Sequence, residues 1–74
     1  MDSKEKILII FGESVRDFRK IQGLSQEQLA FKADLHRTYI GMIERAEKNI
    51  TLVNIQKIAI ALDIKVSQLF LTHE

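Results

Sequence analysis

Only three residues, Asp34-Leu35-His36, separate two short segments of helical character. The first, SQEQLAFKA, opens with Ser25 at an N-cap position and Gln28 three residues on, the reciprocal pair of a capping box, with Leu24 and Leu29 spaced as a hydrophobic staple. Leu29, Ala30 and Ala33 give it a small inner face. It ends at Asp34, a residue type that enters the left-handed region at some cost. The second segment runs from Arg37 to about Arg45 with His36 as its N-cap. On a helical wheel Ile40, Ile43, Glu44 and Glu47 share one side, Thr38, Gly41, Met42 and Arg45 share the other, and Arg37 and Tyr39 flank them. A connection this short joins two helices at a steep angle, so the remaining chain must supply helices that pack around them.

The flanks do so. From Ile7 to Gln22 the residues Ile7, Phe11, Val15 and Phe18 recur at spacings of four, four and three, a helical stripe. Arg16, Arg19 and Lys20 gather at its C-terminal end, where cations suit the helix dipole, and Gly23 supplies a stop. After a loop at Ala46–Ile50, Thr51 caps a fourth helix with Leu52, Ile55, Ile58, Ala59 and Leu62 inward, closed by Asp63. Val66–Leu71 reads as a short fifth helix. MDSKEK is a polar lead-in expected to fray, and THE is a tail.

With 74 residues, no cysteine and no proline, the chain is one domain, residues 1–74, that disulfides cannot brace. A hydrophobic content of 46% is too high for disorder. The longest apolar run, Ile7–Phe11, is far short of the roughly 20 residues that cross a bilayer. It also lacks a small-residue cleavage site. Together with the absence of cysteine this gives an expectation of a soluble, cytoplasmic protein. The net charge of +1 is a weak signal for any partner, so clustering must decide.

Two helices at this spacing form the helix-turn-helix unit, whose second helix enters the DNA major groove. The string from Gly23 to Phe70, with LSQEQLA, RTYI…IER and NIQKIAIAL in order, resembles the phage Cro/repressor-like family of helix-turn-helix proteins. Within it, HRTYIGxIER in so short a chain is most similar to the controller proteins of restriction–modification operons. The resemblance implies an all-α, five-helix lambda-repressor-like DNA-binding domain, with the helix-turn-helix at about 25–45. The family usually places glycine where Asp34, Ala46 and Asp63 stand, and often proline where Ile50 stands. Each glycine lost from a left-handed position costs on the order of 1 kcal/mol.

DNA recognition needs phosphate contacts for position and base contacts for sequence. Gln26, at the N-terminus of the second helix, suits a phosphate; alternatively Ser25 and Gln28 satisfy those N–H groups and Gln26 merely faces water. Arg45, Lys48 and Asn49 form a second backbone-gripping cluster, and the Tyr39 hydroxyl a third contact. For bases, Arg37 can pair with guanine O6 and N7, Thr38 with either base type or a thymine methyl, and Met42 can meet a methyl. Gly41 would let the helix sit deep in the groove. The bland alternative for Arg37 and Thr38 is a solvated first turn. Glu44, on the inward side, needs a partner. Arg19 is assigned to it, a pairing these positions make in the family, and both are given to folding.

Val53 and Ile60 point away from the inner face of the fourth helix, and Val66, Leu69, Phe70 and Leu71 are too many apolar residues for one face of the fifth. A two-fold dimer through about 52–71 would cover them and space two recognition helices about one DNA turn, ~34 Å, apart. The function expected is therefore a homodimeric, sequence-specific transcriptional regulator, the controller protein of a restriction–modification operon, binding its own double-stranded DNA operator through the major groove. The alternatives are a stand-alone regulator of another operon and an antitoxin-like protein-binding module. No catalytic constellation, metal-ligand cluster, cofactor or small-molecule site is read in the chain.

Overall fold

The computed structural model describes residues 5–71, and among them every regular element is helical. In chain order these are α1 (Lys6–Ile21), α2 (Gln26–Ala33), α3 (Arg37–Glu44), α4 (Leu52–Ala61) and a 3₁₀-helix, η1 (Val66–Phe70). The first four residues of the polar lead-in and the THE tail lie outside the described residues. The N-caps are chemical. Ser25 and Gln28 form the full capping box of α2, His36 Nδ1 accepts from the Thr38 N–H, and Thr51 Oγ1 accepts from the Asn54 N–H.

One device ends all four α-helices. In each, an N–H reaches back five residues to a carbonyl: Leu24 to Arg19, Leu35 to Ala30, Glu47 to Met42 and Ile64 to Ala59. The residue before each donor is left-handed: Gly23, Asp34, Ala46 and Asp63. This is the Schellman arrangement, and an apolar residue following the turn commonly locks it to the core. Leu24, Leu35 and Ile64 do so. Glycine fills the left-handed slot only at Gly23; the other three carry side chains at φ 56°, 59° and 57°.

The core gathers Phe11 and Val15 of α1, Leu29, Ala30 and Ala33 of α2, Ile40 and Ile43 of α3, Ile55, Ile58, Ala59 and Leu62 of α4 and its end, and Leu69 of η1. Two details depart from the periodic reading. Ile7 is half exposed, and Leu52, expected inward, is 84% exposed at the first position of α4.

The fifth element also differs. It is a 3₁₀-helix ending at Phe70, with Leu71 extended, not an α-helix through Leu71. It packs on α1, and this removes Leu69 from the expected dimer surface. Leu69 is fully buried in the monomer core. Phe70 is half-buried and stacks on Phe11 with ring centroids 5.2 Å apart. Gln22 Nε2 donates to the Leu62 carbonyl at 2.7 Å, tying the end of α1 to the end of α4.

Candidate nucleic-acid interface

The interface is built outward from a buried carboxylate. Glu44, in the last turn of α3, is the buried charged residue of the described chain. The Arg19 guanidinium of α1 donates from Nε to Glu44 Oε2 at 2.6 Å and from Nη2 to Oε1 at 3.1 Å. Its Nη1 donates to the Leu24 carbonyl at 2.9 Å. Gln26 of α2 adds Nε2 to Oε1 at 3.0 Å. The two charged side chains are 11% and 3% exposed. A buried ion pair of this kind is tolerable because both oxygens and all three guanidinium nitrogens find partners. The network joins α1, the α1–α2 turn, α2 and α3, so it sets the angle at which α3 is held.

Gly12 fixes the distance. A Cβ there would lie 2.4 Å from the Ile43 carbonyl oxygen and 3.0 Å from that of Glu44. The backbones of α1 and α3 are therefore in contact, which only glycine permits. Sequence reasoning missed this residue. The available signal was a glycine set inside an apolar helical stripe, which usually has a packing reason.

Gly41 requires a correction. It is buried and offers no bare backbone to a groove. A Cβ there would meet Arg45 Nη1 at 3.1 Å and Gln26 Oε1 at 3.6 Å, so the missing side chain is room for these two side chains to lie across α3. Gln26 crosses at this point because its amide is turned inward to Glu44. One of its two amide hydrogens is thereby committed and one remains. The N–H groups of Gln26 and Glu27, in the first turn of α2, have no intrahelical acceptors and add a concentrated donor set beside it.

The remaining outer face is open. Arg37 and Thr38 form the exposed first turn of α3, and Met42 is half-exposed one turn on. Arg37 Nη1 lies 3.9 Å from Glu27 Oε1, with both side chains largely exposed. Such a pair is worth little and leaves the guanidinium available. Tyr39 is half-buried, and Asn54 Nδ2 of α4 donates to its hydroxyl oxygen at 3.1 Å. Beyond the helix, Arg45 pairs with Glu47 at 3.1 Å, and Lys48 and Asn49 are exposed in the following loop. Arg37, Thr38 and Met42 thus occupy one side of α3, opposite Ile40, Ile43 and Glu44.

The model of the helix-turn-helix family matches residues 15–69, which takes in α2, α3 and the packing that fixes them. The chain belongs to the helix-turn-helix family. Control protein C.SmaI of Serratia marcescens is 51% identical over 69 residues, covering 93% of this chain and 77% of that protein. Control protein C.BamHI of Bacillus amyloliquefaciens is 50% identical over 60 residues, covering 80% and 74%. Among solved structures, the restriction-modification controller protein C.AhdI from Aeromonas hydrophila superposes with a TM-score of 0.83 at 51% identity, covering 85% of this chain and 96% of that one.

In this helix-turn-helix protein an apolar surface remains on the side of α4 and η1. Val53 and Ile60, two helical turns apart, are 62% and 70% exposed, and Val66 and Leu71 are also exposed. Leu52 is exposed as well and lies outside the core. No helix among the described residues is long and apolar enough to cross a membrane.

Proposed function

We propose that this chain is a single-domain, homodimeric, sequence-specific DNA-binding regulator of transcription in the cytoplasm. In this reading it controls a restriction–modification operon by binding operator sites at its own promoter. The observation that carries the DNA reading is the division of α3. Its inner side is locked by Gly12, Arg19 and Gln26, while Arg37 and Thr38 stand exposed in its first turn. A recognition helix needs such a division, because bases are read by a few side chains whose backbone position must not drift. The likeness to two control proteins over most of the chain supports the narrower role.

In this reading Arg37 takes a guanine edge, Thr38 a neighbouring base and Met42 a methyl group. The free hydrogen of Gln26, the α2 N-terminus, the Tyr39 hydroxyl, Arg45, Lys48 and Asn49 take phosphates. Val53, Ile60, Val66 and Leu71, with Leu52 added, meet their counterparts across a two-fold axis. No cofactor or small-molecule ligand is required.

The test is a gel shift on the DNA upstream of the chain's own reading frame, wild type against Arg37→Ala. Equal binding by both removes Arg37 as a base reader. A methyltransferase and an endonuclease beside the gene support the controller role, and their absence points to another operon.

A further inference from the structure

Asn54, in the first turn of α4, bonds in two directions. Its backbone N–H serves the cap of α4, going to Thr51 Oγ1 at 3.2 Å. Its side-chain amide leaves α4 and reaches α3, where Nδ2 donates to Tyr39 Oη at 3.1 Å. The direction of that bond decides what Tyr39 can do. An amide nitrogen has only hydrogens to offer, so the phenol oxygen is the acceptor. A phenol carries one hydrogen, and this bond does not consume it. The Tyr39 ring packs against the core, so its position is set and only the hydroxyl torsion is left to choose.

We infer that Asn54 is a positioning residue for DNA binding: by holding the acceptor side of Tyr39 Oη, it turns the hydroxyl hydrogen outward to a phosphate oxygen. This rests on the reading of α3 as the DNA-facing helix with Tyr39 at the backbone. Two physical effects favour the arrangement. The donor is pre-aimed, so less torsional freedom is lost on binding. An oxygen that is already accepting also becomes a stronger donor to a charged acceptor. The side chain at 54 must therefore be a donor. A carboxylate there would take the phenol hydrogen for itself and remove it from the DNA.

The experiment measures fluorescence anisotropy on a duplex of the chain's own upstream DNA and on a scrambled duplex of equal length. The proteins are wild type, Tyr39→Phe, Asn54→Ala, the double variant and Asn54→Asp. Tyr39→Phe is expected to weaken binding about tenfold, the loss of one charge-assisted bond. Asn54→Ala is expected to weaken it roughly threefold in the wild-type background and to have no effect in the Tyr39→Phe background. Asn54→Asp weakens binding at least as much as Tyr39→Phe. Alanine retains the backbone N–H that meets Thr51, so Asn54→Ala stays folded and its melting temperature falls only by the loss of one part-buried hydrogen bond.

A purely structural role for Asn54 gives equal losses in both backgrounds and overturns the inference. So does tighter binding by Asn54→Ala, which would mean that Tyr39 spends its hydrogen on Asn54. No change on Asn54→Ala in the wild-type background overturns it as well. If wild type separates the two duplexes but Tyr39→Phe is silent, this inference falls together with the Tyr39 phosphate contact, and the DNA-binding reading stands. If wild type does not separate them, the DNA-binding reading falls and takes this one with it.

Discussion

Arg19 and Glu44, 25 residues apart in sequence, share a two-pronged ion pair of 2.6 and 3.1 Å that bolts α1 to α3. Breaking it from one side leaves a charge in the interior. Arg19→Met should therefore destabilise the fold by about 3–5 kcal/mol, read in urea melts. Arg19→Met combined with Glu44→Leu should recover a large part of that loss, because the uncompensated carboxylate is gone. Unchanged stability in the single variant would show that the pair does not hold the fold.

Gly12→Ala is the sharper test of the helix contact. Alanine ordinarily favours a helix over glycine by roughly 0.5–1 kcal/mol. Here the added methyl would press on the Ile43 and Glu44 carbonyls, which are backbone and have little room to yield. The expected outcome is net destabilisation of about 1–3 kcal/mol, with a lower melting temperature. A stabilised variant would show that the helices are not in backbone contact.

Replacing left-handed residues by glycine should act in the other direction. Asp34→Gly and Asp63→Gly each relieve a positive φ, at 56° and 57°. Each should raise stability by a few tenths to about 1 kcal/mol, the relief being partly offset by the freer unfolded chain. Ala46→Gly should gain less, because its methyl is buried and would be lost. Calorimetry on the three variants checks the order.

These terminators also show how much of the fold was legible in the chain. The caps at Ser25, His36 and Thr51 and the stops at Gly23, Asp34 and Asp63 are local chemistry, and each stands where the sequence places it. The position of η1 is not local. Nothing near Leu69 in sequence announces that α1 lies alongside, with Phe11 waiting to stack on the neighbouring Phe70, so the pattern alone places Leu69 on an outer surface. Gly41 misled for a related reason: a wheel shows which residues share a side, but not that Gln26 and Arg45 cover that side. Arg37 and Thr38 were accessible to sequence reasoning because a helix's first turn, once its cap is known, has few ways to point.

The proposed phosphate contacts carry an electrostatic signature. If Lys48 neutralises one phosphate per subunit, Lys48→Ala should weaken binding to all duplexes alike and lower the slope of log affinity against log salt by about 0.9 per contact. Arg37→Ala should instead weaken the preferred duplex by about 1–3 kcal/mol more than a scrambled one. Salt titrations of both variants separate the two roles.

Ile60→Asp tests the assembly. Placing a charge in the middle of the exposed α4 surface should convert a dimer to a monomer in sedimentation at tens of micromolar, with the helical circular dichroism signal kept. An unaltered dimer would move the interface elsewhere.

The contact at Gly12 has a consequence for how such a protein changes its target. Because α1 and α3 touch backbone to backbone, the helix cannot roll or slide to accommodate a new partner. Its outward residues, Arg37, Thr38 and Met42, bear little of the fold's weight and can be exchanged without disturbing it. New sequence preference can then arise by altering the lettering on a fixed plate, one position at a time, while the plate itself admits almost no revision.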